Sequence, residues 1–302
     1  MNYQEFKSSV TGFLREALPD GTELSMTLME KNNGVCMEGL SVRKQGRRVA
    51  PMIYLDSCYQ DYLAGRSFPG ICQQILECCE DCAFMERFDV DFFADYRKIQ
   101  PTVVYKLINY EKNRELLEKI PHLPFLDLAI VFYCLLADTP VGNATVLIRN
   151  SHLKMWHITC GELYRDAKDN SSRLLPAELR PMGEVLRELS WEPGNGGAGE
   201  AGEDELPMYV LTNSRKSLGA ASVLYGGMLK ACEARVVEAY YLLPSSIHEV
   251  IAVPVSAVPE AEELLAMVRD INATQVRNTE ILSDNIYLYS PESGQLSLIE
   301  HA

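Results

Sequence analysis

The segment Leu128 to Leu136 is the longest apolar run in the chain and the feature that most restricts its fold. It falls far short of the roughly 20 residues that a bilayer-crossing helix needs, so it reads as a strand. Successive side chains of a strand point to opposite faces, and both faces are apolar here, so the strand has to be covered above and below. The segment 126–136 is therefore a central strand with helices packed against its sheet. A second apolar segment, 144–149, follows Asp138-Thr139-Pro140-Val141-Gly142-Asn143 and reads as its hairpin partner across a long loop. The fold class expected is α/β, a mixed sheet flanked by helices, with α+β character in the N-terminal third.

That third begins with Tyr3, Phe6, Val10, Phe13, Leu14 and Ala17 at three- and four-residue intervals, the stripe of an amphipathic helix ending at Pro19-Asp20-Gly21. Three β-like segments, 23–30, 34–43 and 49–55, are separated by the turn signals Asn32-Asn33-Gly34 and Gln45-Gly46, which predicts a small antiparallel meander. Ser67 then caps a helix running to about residue 83, with another short helix over 90–99. Further on the pattern predicts helices at 159–170, 181–189 and 217–235. It predicts strands at 208–212, 239–243 and 248–253, with a turn at Pro244-Ser245-Ser246. A helix starts at Pro259, and a strand runs from Ile286 to Tyr289. Residues 191–207, glycine-rich and acidic, cannot bury apolar surface and are expected to form a mobile loop. The expected organisation is an N-terminal region, 1–100, and an α/β region, 101–302, interrupted by that loop.

The formal net charge is -14, from 42 acidic and 28 basic side chains. A field of that sign repels phosphate backbones and anionic lipid heads, which disfavours nucleic acid and membrane surfaces as partners. No secretory signal opens the chain, and nine cysteines without one point to reduced thiols in the cytoplasm. Cys72, Cys78, Cys79 and Cys82 lie on one helix face and can be drawn as zinc ligands, but no second CxxC completes a set. Buried thiols continuing an apolar stripe are the reading taken, with neither metal nor cofactor expected. Arg43, Lys44, Arg47 and Arg48 make a positive hairpin tip, read as a solvated charged turn.

Two constellations carry chemistry. Strand ends are where α/β proteins build sites. Ser245 or Ser246 as nucleophile, His248 or His152 as base and Glu249 as orienter would make a hydrolase, although no GxSxG elbow is present. Asn213, Arg215 and Lys216, between a strand and a helix, offer backbone N–H groups and two cations to an anionic ligand. Neither constellation has the spacing of a catalytic motif. The leading expectation is a non-catalytic binding or regulatory protein whose partner is a protein or a small molecule; the hydrolase is the alternative.

Several longer phrases resemble a known family: YKLINYEKN from Tyr105, FLDLAIVF from Phe125, NATVLIRNSHLKMW from Asn143, MYVLTN from Met208 and LPSSIHEVI from Leu243. The chain resembles a domain-of-unknown-function family of bacterial proteins common in anaerobic gut Firmicutes, over nearly its whole length except the glycine-rich stretch. The resemblance implies a cytoplasmic bacterial protein and brings no activity, ligand or site residue with it.

Overall fold

The structure is a computed structural model that describes residues 1–45, 50, 52–80, 90–139, 142–190, 208–258 and 260–300. The chain divides into two compact units, Met1–Thr102 with Cys134–Val146 and Met155–His157, and Val103–Tyr133 with Leu147–Lys154 and Ile158–Ala302.

In the first unit, helix α1 (Tyr3–Ala17) starts with a capping box. The Asn2 side chain accepts the Glu5 N–H and the Glu5 carboxylate accepts the Asn2 N–H, both at 2.9 Å, which satisfies two donors that the first helical turn leaves unpaired. Strands β1 (Glu23–Glu30), β2 (Cys36–Arg43) and β3 (Met52–Tyr54) form the expected antiparallel meander, in the order β1-β2-β3. The third strand is shorter than its apolar segment, because helix α2 (Leu55–Leu63) begins at once; helix α3 (Phe68–Glu80) follows. Phe6, Val10 and Leu14 of α1 pack with Leu40 and Val42 of β2 and with Ile71, Cys72, Ile75 and Cys79 of α3. The short helices α4 (Val90–Ala94) and α5 (Tyr96–Ile99) complete the N-terminal stretch.

Strand β4 (Val103–Asn109), helix α6 (Arg114–Leu117) and strands β5 (His122–Phe125), β6 (Leu128–Thr139) and β7 (Gly142–Leu147) come next. In their sheet β6 lies between β4 and β5, and β7 also pairs with β6. Every residue from Leu128 through Leu135 is buried, so both faces of the apolar run are covered, as the sequence requires. Helix α7 (Asn150–Trp156) precedes helix α8 (Cys160–Leu174), which docks on β4. There the Tyr105 N–H donates to Ser171 Oγ at 3.1 Å, and the Asn170 amide donates to the Val103 carbonyl at 3.0 Å.

The rest of the second unit comprises β8 (Ala177–Pro181), α9 (Met182–Ser190), β9 (Tyr209–Asn213), α10 (Met228–Val236), β10 (Tyr240–Ser246), β11 (Glu249–Pro254), α11 (Ala261–Thr274), β12 (Ile286–Ser290) and β13 (Gln295–Ile299). These strands form an antiparallel sheet in the order β13-β12-β10-β11-β9-β8. Strands β8 and β9 come from opposite sides of residues 191–207, which lie outside the described residues, and pair directly, with Leu179 opposite Leu211. Leu264, Leu265 and Val268 of α11 cover Tyr241, Leu243, Val253 and Ile286 of the sheet.

Two local expectations are corrected. The helix expected over 217–235 is split into a 3₁₀ turn, Gly219–Leu224, and α10; Gly227 between them sits at φ 80°, a conformation that glycine adopts without steric penalty. The turn expected at Pro244-Ser245-Ser246 is instead the irregular end of β10, and the chain reverses at Ile247-His248.

A polar assembly fixes the segment before β12. The Asp127 carboxylate, in the β5–β6 turn, accepts from Ser283 Oγ (2.5 Å), Asn285 Nδ2 (3.1 Å) and Tyr287 Oη (2.7 Å). Asn109 donates to the Leu282 carbonyl and Asn272 to the Ser283 carbonyl. Among the described residues no helix is long and apolar enough to cross a membrane.

Candidate ligand-binding site

Arg180 of β8 stands opposite Val210 of β9, and Glu178 opposite Thr212. Because side chains alternate along a strand, Arg180, Val210 and Thr212 share one face of the sheet. Continuing the β9–β11 register, in which Val250 faces Leu211, brings Glu249 to that same face. Helix α9 follows β8 without a loop and contributes Val185 and Glu188, three residues apart and so on one side of the helix. Lys216 comes from the turn after β9. These residues line a cavity of about 280 Å³.

Charge is arranged unevenly in it. Arg180 holds Glu188 with two hydrogen bonds, Nη1 to Oε2 at 2.8 Å and Nη2 to Oε1 at 2.5 Å, the bidentate geometry that suits a guanidinium and a carboxylate. Lys216 Nζ lies 3.4 Å from the same Glu188 Oε2, and Glu184 is 3.8 Å from Arg180. The bonds from Arg180, with Lys216 adding to them, hold the Glu188 carboxyl down at about 2. Glu249 is the cavity's second acid, and Val185 and Val210 supply apolar wall. The Thr212 hydroxyl is committed to the His248 carbonyl at 2.8 Å.

Of the anion-binding candidates, Lys216 reaches the cavity. Asn213 is buried and stabilises its own turn: its Oδ1 accepts the Arg215 N–H at 3.0 Å and its Nδ2 donates to the Ser217 carbonyl at 2.9 Å. Arg215 takes part in that turn through its backbone and is not among the lining residues.

Three of the hydrolase candidates, Ser246, His248 and His152, are engaged with backbone N–H groups. Ser246 Oγ accepts the His248 backbone N–H at 3.0 Å, a turn-stabilising contact rather than one with an imidazole. Ser245 lies in β10, and its side chain is outside the described set. His248 Nδ1 accepts the Leu218 N–H at 3.1 Å, so a neutral ring carries its proton on Nε2, which faces Glu280 at 3.9 Å. Glu280, not Glu249, is thus the carboxylate beside this ring. His152 Nδ1 accepts the Arg149 N–H at 3.1 Å at the start of α7, and burial together with the Arg149 charge lowers its pKa.

Cys72 and Cys79 are buried in the core around α3, and the Cys78 thiol bonds the Gln74 carbonyl; Cys82 lies outside the described residues. Among the described residues no cluster of three or more His, Cys, Asp or Glu side chains could hold a metal ion. Arg43 of the positive hairpin tip pairs with Glu23, while Arg47 and Arg48 lie outside the described residues.

Sequence reasoning passed over Arg180 and Glu188. The available signal was the spacing of Arg180, Glu184 and Glu188, four residues apart each time, which brings two acids on one side of a helix towards the arginine two residues before its start.

Fold and site together define an α/β protein of antiparallel sheets flanked by helices, with a small charged cavity against its six-stranded sheet. Residues 3–291 match the family of unknown function DUF5688, and the chain belongs to that family. No curated protein and no solved structure matches it.

Proposed function

We propose that the chain is a non-catalytic binding protein of the bacterial cytoplasm, and that the cavity bounded by β8, β9, β11 and α9 receives a small zwitterionic molecule of amino-acid type. The observation that carries this reading is the Arg180–Glu188–Lys216 arrangement: two cations converge on one carboxylate at the edge of a cavity. A ligand carboxylate takes the place of the Glu188 carboxylate on Arg180 and Lys216. Glu249 receives the ligand's ammonium group, and Val185 and Val210 its apolar stem. The volume, about 280 Å³, lies at the small end of ligand pockets and suits a compact metabolite. The acidic surface favours freedom from nucleic acid and anionic lipid.

The test is a thermal-shift panel of amino acids, dicarboxylates and uncharged amides of matched size. A true ligand raises the melting temperature with concentration, contributing about 2.7 kcal/mol at a hundredfold excess over Kd. Arg180→Gln and Glu249→Gln each abolish the shift, and NMR finds the ligand unchanged after incubation. Equal stabilisation by the uncharged amides, or a shift that survives Arg180→Gln, refutes the pocket. Conversion of the ligand refutes the non-catalytic reading, and Ser246→Ala then tests the hydrolase alternative.

A further inference from the structure

Among the described residues, strand β1 lies at the edge of its sheet and lacks the usual protections of such a strand. It runs for 8 residues, ELSMTLME, with no proline and no lysine, and its acids stand at its two ends. Natural proteins cover such an edge or interrupt it with charge, because its unpaired N–H and C=O groups template another strand. Met26 is 40% and Leu28 64% exposed, on the face that also carries Leu24.

The direction of the free backbone groups follows from the hairpin. The Lys31 N–H donates to the Val35 carbonyl directly opposite it, and narrow hydrogen-bonded pairs alternate along an antiparallel ladder. Residues 23, 25, 27 and 29 therefore bond to β2. Leu24, Met26 and Leu28 direct their N–H and C=O groups to the open edge.

We infer that this edge pairs with β1 of a second copy of the chain, antiparallel about a twofold axis at Met26. In that register Met26 meets Met26 of the second copy, and Leu24 meets its Leu28. Each of these residues points its backbone groups outward, so the hydrogen bonds are made. One face then carries a continuous row of leucine and methionine, and the other sets Ser25 against Thr27. Glu23 meets Met29 and Glu30 meets Thr22, so no acid opposes an acid. A shift of one residue sets outward-pointing residues against inward-pointing ones, losing the hydrogen bonds, and brings Glu23 opposite Glu30. A symmetric dimer needs a self-complementary patch, and this strand is its own complement. The two three-stranded meanders become one six-stranded sheet.

Sedimentation velocity of the full chain over a concentration series tests this. The expected result is a reversible monomer–dimer equilibrium that strengthens with added salt, because each chain carries a net charge of -14 and screening relieves their repulsion. Met26→Lys places two ammonium groups at the twofold axis and weakens association at least about tenfold. Met267→Lys, at a 55% exposed position of α11, leaves association unchanged. If Met26→Lys loses far-UV circular dichroism signal, Leu28→Lys at the more exposed position replaces it. A wild-type chain that stays monomeric at the highest attainable concentration overturns the inference. So does a dimer unaffected by charge at both Met26 and Leu28.

Discussion

Replacing Gly219 with alanine tests how closely the turn Gly219–Leu224 is set against the strands of the candidate site. A Cβ at this position would stand 2.3 Å from Thr212 Oγ1, 2.6 Å from the His248 carbonyl oxygen and 2.7 Å from the Asn213 nitrogen, where ordinary contact begins at 3.4 Å. Two of the three atoms are backbone of β9 and of the turn before β11, and cannot retreat without disturbing β9–β11 pairing. The third can rotate away only by giving up the Thr212 bond to the His248 carbonyl. Overpacking of this kind costs about 1–3 kcal/mol, and the lost hydrogen bond adds about 1 kcal/mol. Gly219→Ala is therefore expected to lose about 3 kcal/mol in urea unfolding followed by circular dichroism. Gly226 provides the control: a Cβ there meets nothing within 4 Å, so Gly226→Ala should be neutral or stabilising by up to about 1 kcal/mol. A Gly219→Ala protein within about 0.5 kcal/mol of wild type would refute this account of the packing, as would a Gly226→Ala protein destabilised as much.

Two further outcomes are expected. Asp127→Ala removes the acceptor of three donors, Ser283, Asn285 and Tyr287, and should cost about 3 kcal/mol, against about 1 kcal/mol for Tyr287→Phe. Equal urea midpoints for the two variants would contradict the hub. The Glu188 carboxyl is depressed to about 2 in the folded chain, so its contribution is fully present above the unfolded carboxylate pKa and is lost as pH falls through about 2. A carbon-13 NMR titration should place its midpoint near that value and move it upward with salt, since the pair is solvent-accessible; a midpoint in the ordinary carboxylate range would contradict the pairing.

The parts of the fold that could be read in the sequence were those with strong periodicity or strong punctuation. The stripe of α1, the three strands of the meander and the doubly apolar β6 each carried enough repeats to be placed. The short strands were not: β8, AELRP, is half-buried from Ala177 to Arg180 and ends in an exposed proline, and β5, HLPF, carries proline in its middle. The partner of β8 is β9, which lies beyond residues 191–207 and which no local pattern contains, while β5 is held by β6 across the two-residue turn Leu126-Asp127. The glycine pair 226–227 broke a helix whose apolar pattern continued across it. Of the candidate site, Lys216 was named as a cation for an anionic ligand, and Glu249 for another role, the orienter of a hydrolase. Arg180 and Glu188 were missed because their meeting depends on α9 starting directly at the end of β8.

That abrupt junction also bears on what the cavity would select. Two solvent-accessible cations without an internal partner would take any anion in solution, inorganic ones included. Glu188 is attached to the same scaffold, so it competes at a high effective concentration and occupies Arg180 by default. An incoming anion that offers only a negative charge exchanges one carboxylate contact for another and gains little. On the proposed reading a ligand would gain net affinity only by contacts Glu188 cannot make, and the lining would offer two kinds: the Glu249 carboxylate for a cation, and the Val185 and Val210 side chains for an apolar stem. Specificity on this view comes from the competing acid as much as from the receptor groups, since a repulsive or competing element rejects poor partners while costing the right one comparatively little.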